Sequence, residues 1–87
     1  MKPLTSAQIR AARALLRWSA EELAQQSLLS VATIRRAELT VKETAMTSAN
    51  DVAVRRALEA RGVEFIDENG GGPGVRLRKT AKGKSRK

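Results

Sequence analysis

Apolar positions along this chain follow two rhythms, and the change comes at Gly62. Before it they recur at three- and four-residue spacing: Ile9, Ala12 and Leu16, widened by Leu15, then Leu23 with Ala24, Ile34 with Ala37, and Val54 with Ala57 and Leu58. That is the spacing of one helix face turned inward. Each stripe is preceded by a hydroxyl residue able to cap a helix: Thr5, Ser19, Ser30, and Thr47 or Ser48. Thr5 is followed three residues on by Gln8 and Ser19 by Glu22, the reciprocal capping-box arrangement. Four helices are therefore predicted: one beginning after Thr5, one over Ala20 to Gln26, one over Val31 to Glu38, and one from Thr47 or Ser48 to Arg61, stopped by Gly62. Leu39 to Thr47 reads as a loop.

Beyond Gly62 the pattern becomes β-like. Val63 to Asp67 and Val75 to Arg78 are strand candidates joined by the glycine-rich Asn69 to Gly74 loop, and the acids of the first can face Arg76 and Arg78 of the second. A lone two-stranded hairpin is marginal in water. It must pack on the helices or pair with another chain, and edge-to-edge pairing across a two-fold axis would make a dimer. The glycine run is not a P-loop, since no Gly-Lys-Ser/Thr follows it. The chain thus divides into a helical segment 1–62, a hairpin 63–78 that is a possible dimerisation element, and a tail 79–87.

Composition narrows the function. With 87 residues there is room for one small domain. The absence of cysteine excludes a disulfide framework or a cysteine metal site, and the absence of histidine and tyrosine removes two common acid–base groups. No enzyme, metal or cofactor is expected. No apolar run approaches the roughly 20 residues that span a bilayer, and Met1 to Thr5 leads into no signal-peptide core, so a cytoplasmic protein is expected. The net charge of +8 is unevenly placed: up to Gly74 ten Lys/Arg face nine Asp/Glu, whereas from Val75 onward there are seven Lys/Arg and no acid. The tail, with five Lys/Arg in nine residues, is expected to be disordered and to attract polyanions, or else to act only as a solubilising end.

The chemistry concentrates between Ser19 and Glu38, where two short helical patterns are separated by Ser27 to Leu29 alone. Helices joined so tightly must turn sharply, as in a helix-turn-helix unit, whose second helix is commonly laid in the major groove of DNA. Glu22-Leu23-Ala24, then Ser30-Val31-Ala32-Thr33-Ile34, then Arg36 and Glu38 resemble the lambda-repressor and Cro type of helix-turn-helix, the XRE family of small bacterial and phage regulators. The matching positions run from about Ile9 to about Gly62.

The resemblance implies a mostly α fold, a four-helix lambda-repressor-like DNA-binding domain with the C-terminal β-hairpin added. It implies a DNA-binding surface of Ser30, Val31, Ala32, Thr33 and Arg36, with Arg35 close to the backbone; Lys42 is the loop cation placed to meet a phosphate. Arg36 can bond guanine in bidentate fashion, and Val31, Ala32 or the Thr33 methyl can pack on a thymine methyl. The competing reading makes Arg35 and Arg36 ordinary exposed charges, as Arg10 and Arg17 are taken to be. The family also pairs an arginine and a glutamate at the positions of Arg13 and Glu38, which gives these two a structural role. Trp18 reads as a core plug.

Three departures stand out. Ala20 replaces a phosphate-contacting glutamine, Val31 replaces a polar reader, and Arg17, Leu28 and Thr40 occupy positions the family tends to give to glycine. A non-glycine residue held at positive φ there costs on the order of 1 kcal/mol. Leu28 and Leu29 are either buried in the turn or an exposed apolar spot that binds a protein. The function expected is a sequence-specific transcriptional regulator, a repressor acting by operator occupancy as a nucleoid-associated homodimer on double-stranded DNA. The alternative is an antitoxin-like module that binds and silences a partner protein such as a toxin.

Overall fold

A computed structural model of the chain describes residues 3–41 and 43–78. Four helices, α1 (Ser6–Leu16), α2 (Ala20–Ser27), α3 (Val31–Ala37) and α4 (Ser48–Glu59), precede an antiparallel hairpin of β1 (Val63–Ile66) and β2 (Gly74–Leu77). The caps fix where the helices start. Thr5 Oγ1 accepts from Gln8 N at 3.1 Å while Gln8 Oε1 accepts from Thr5 N at 3.0 Å, closing a full capping box. Ser30 and Thr47 each accept from the backbone N–H three residues on, at 3.1 Å. Ser19 does the same for Glu22 at 3.0 Å, but the reciprocal bond is not made; the Glu22 carboxylate lies 3.5 Å from Gln26 Nε2, one turn along the exposed face of α2.

The helix ends depart from the sequence expectation in small, explicable ways. Glu38 is the C-cap of α3 and not its last helical residue. α4 ends at Glu59 and tightens through Ala60 and Arg61, with Arg61 N donating to Leu58 O at 3.1 Å and Gly62 N to Glu59 O at 3.0 Å. Gly62 then turns the chain into β1 at φ +99°, a conformation side chains resist.

Ile9, Ala12, Leu23, Ile34, Ala37, Val54, Leu58 and Val63 form the core together with Leu4. Leu15 does not widen the α1 stripe, being 40% exposed. At 3.6 residues per turn it lies about 100° round the helix from Leu16. The hairpin takes the packed option: Val63 is in the core, and Phe65 and Val75 pack against it. Gln8 fastens the hairpin to α1, its Nε2 donating to Ile66 O at 3.3 Å and to Gly74 O at 3.0 Å. On the α4 side, the buried Arg55 guanidinium lies 5.4 Å from the Phe65 ring and 3.7 Å from Asp51 Oδ2, while Asp51 Oδ1 accepts from Leu4 N at 3.0 Å.

Glu64 stands opposite Arg76, whose Nε donates to it at 3.0 Å and whose guanidinium holds the carboxyl below its usual range. Arg78 makes no ion pair with a strand acid among the described residues, although its charge also helps lower the Glu64 carboxyl. It extends the ladder by donating its N–H to Gly62 O at 2.8 Å and reaches Glu59 O with Nη2 at 3.1 Å. No helix among the described residues is long and apolar enough to cross a membrane.

Two of the three positions where glycine was expected do adopt the left-handed conformation, Arg17 at φ 59° and Leu28 at φ 61°. Thr40 does not; among the described residues of that loop, Ala45 has positive φ, at 62°. At Leu28 the conformation lets the N–H groups of Leu28 and Leu29 reach Gln25 O and Ala24 O, closing the end of α2. Leu28 itself is 90% exposed, so its side chain offsets little of this strain, whereas Leu29 packs against the core. Leu28→Gly is therefore expected to stabilise the domain by roughly 0.5–1 kcal/mol after glycine's greater unfolded-chain entropy is counted. A thermal melt should rise by about 2–8 °C; a fall would mean that the Leu28 side chain contributes contacts outweighing the strain.

Candidate nucleic-acid interface

α3 presents its outer face because its inner one is fully used. Ile34 and Ala37 are buried against α2 and the core, which leaves Ala32, Arg35 and Arg36 exposed and Val31 and Thr33 half-buried. Ser30 caps the helix, and its Oγ also lies 2.9 Å from Thr33 Oγ1, so both hydroxyls are engaged within the first turn. Val31 leans on the core and offers only part of its side chain to the outside.

The two arginines of α3 differ in surroundings. Arg35 turns toward α2, where Nη2 donates to Glu21 Oε2, both side chains being more than half exposed. The Glu21 carboxyl is held below its usual range first by a backbone N–H and next by the Arg35 charge. Such an exposed pair holds weakly and opens readily. Arg36 has no carboxylate within ion-pair distance among the described residues. It lies at a groove of about 370 Å³ between α3 and the chain leading into α4, where Thr33, Thr40, Thr44 and Asn50 supply polar groups. Lys42 lies outside the described residues, as does the basic tail.

Behind this face α3 is anchored at its C-terminal end. Arg13 Nε donates to Glu38 Oε2 at 2.7 Å and Nη2 to Glu38 Oε1 at 2.8 Å, while Nη1 reaches Trp18 O at 2.8 Å. One guanidinium thus ties α1, the α1–α2 junction and the α3 cap. The hydrogen bond to Glu38 raises the Arg13 pKa, and partial burial opposes that rise. Ser6 adds a second tie by donating from Oγ to Thr40 O, just past the α3 cap. Neither Ser6 nor Gln8 stood out in the sequence as an anchor, because a polar residue in the first turn of a helix ordinarily reads as a cap. Trp18 is half-buried against the core edge, with the Arg61 guanidinium 5.9 Å from its ring.

The resulting surface is a short, rigidly seated helix whose outward groups are small or cationic. The acid nearest its end, Glu38, is neutralised by Arg13. Comparison of the sequence with models of known protein families and with curated proteins finds no match.

Proposed function

We propose that this protein is a sequence-specific DNA-binding regulator of the XRE, lambda-repressor-like type, with α3 as the helix laid in the major groove. The observation that carries the reading is Arg36, an exposed cation without a carboxylate partner among the described residues, beside the small Ala32 and the Thr33 methyl on an anchored helix. Guanine offers two acceptors to such a guanidinium, and thymine offers a methyl group to such neighbours. One short helix covers few base pairs. Two copies with their recognition helices about 34–36 Å apart would read a palindrome, and operator occupancy by that dimer would repress transcription. Leu77, on β2 and half exposed, supports a two-fold contact there.

The test is a titration of the full chain against duplex DNA from upstream of its own gene and against random duplex, at low and at physiological salt. Preferential binding that survives the higher salt is expected. Equal binding that vanishes with salt would overturn the regulator reading and promote a second one, an antitoxin-like protein-binding module. That second reading draws on Leu28, Leu39 and Val41, which are 90%, 83% and 95% exposed.

A further inference from the structure

We propose that the concavity where Trp18, Arg61 and Arg78 meet is a second binding site for the phosphate backbone of duplex DNA, separate from the helix-turn-helix. It rests on the DNA-binding reading above and extends it to the junction between α1 and α2. The concavity encloses about 510 Å³ and is walled by Leu16, Ala60 and Gly62 as well as the three named residues. No carboxylate side chain lines it.

Up to Gly74 the chain is almost charge-balanced, and three of its arginines are matched to carboxylates: Arg13 to Glu38, Arg35 to Glu21, Arg55 to Asp51. Arg76 on β2 is matched to Glu64 in the same way. Arg61 and Arg78 have no carboxylate in ion-pair range among the described residues, and both converge on one depression. Their placement is fixed by other means. Arg61 lies over the Trp18 ring, 5.9 Å from its centre, and stacking on the ring face leaves the in-plane N–H groups of a guanidinium free to bond elsewhere. Arg78 uses one nitrogen on Glu59 O at 3.1 Å, and a guanidinium has donors to spare. Two positioned guanidinium forks suit bidentate contacts to phosphate oxygens.

The position in the chain points the same way. Trp18 immediately precedes Ser19, the N-cap of α2, whose backbone N–H groups and helix dipole favour an anion. Arg78 immediately precedes the tail and its five Lys/Arg. A phosphate strand near the α2 N-terminus would therefore meet Arg61 and Arg78 in the same concavity. Because Arg61 already covers the Trp18 ring, the site suits a duplex backbone better than a stacked, unpaired base.

The experiment compares wild type with the Arg61→Ala/Arg78→Ala double variant, tail intact, on upstream and random duplex across a salt series. Both affinities are expected to fall by the same factor, on the order of 10-fold at low salt, and the slope of log K against log salt to shrink by about two. The discrimination ratio should not change. Emission from Trp18, the chain's single tryptophan, should shift when wild type binds either duplex. The Arg61→Lys/Arg78→Lys variant should keep the salt slope, which separates charge from folding. An unchanged slope in the alanine variant, or Trp18 emission indifferent to DNA, would overturn the site. If wild type fails to discriminate but the slope still drops, the second site stands and the regulator reading falls; if wild type binds no duplex at low salt, both fall.

Discussion

Arg13→Ala is expected to lower the melting temperature by roughly 12–24 °C. Removing one partner of a poorly solvated pair leaves the other charge without compensation, at a cost of about 3 kcal/mol or more. Glu38 is the member left behind and is only 9% exposed, whereas Arg13 keeps 23% of its surface, which sets the loss at the lower end of that range. Three bonds go at once, two to Glu38 and one to Trp18 O, so the α1–α2 junction and the end of α3 loosen together. Because the pair raises the arginine pKa, Arg13 stays charged throughout the neutral range, and its side of the contribution does not change there. The loss should therefore be equal at about pH 6 and about pH 8. Replacing both partners by apolar residues should recover much of it. A melt within a few degrees of wild type for Arg13→Ala would show that the pair does not hold α3 in place.

Arg36→Ala should leave the fold alone and remove reading. A bidentate base contact discriminates by about 1–3 kcal/mol, so the preference for operator over random duplex should fall by roughly 5- to 150-fold. The melting temperature should stay within about a degree or two, since the side chain is exposed and makes no ion pair among the described residues. Arg35→Ala is the internal control. Its guanidinium is engaged with Glu21, so only a small and sequence-independent weakening is expected. Discrimination unchanged in Arg36→Ala would remove α3 from the groove.

The parts of the fold set by neighbours in sequence were legible without coordinates. Thr5, Ser30 and Thr47 cap their helices because a hydroxyl three residues ahead of an N–H meets it wherever the chain turns into a helix. Ile9, Ala12, Leu23, Ile34, Val54 and Leu58 face inward because helical periodicity alone places them on one side. The switch of rhythm at Gly62 likewise marks the hairpin, whose strands differ from expectation by a residue at their ends. Of the surface proposed for DNA, the exposure of Ala32 and Arg36 follows from the same periodicity.

Local pattern could not foresee contacts between residues far apart in the chain. Gln8 reads as a capping residue and is one, yet its amide also reaches Ile66 and Gly74, 58 and 66 positions away, and so docks the hairpin. Leu28 and Leu29 are alike in sequence, and only the left-handed turn sends one to solvent and the other to the core. Arg35 and Arg36 are adjacent and chemically identical, but the packing of α2 beside α3 gives one a carboxylate and leaves the other facing the groove. The sequence by itself determined the helices, their caps, the hairpin and the skewed charge, because those depend on residues within a turn or two of one another. Only the tertiary structure decided which arginines are matched and which are exposed to a partner, because that depends on where distant carboxylates arrive when the core closes.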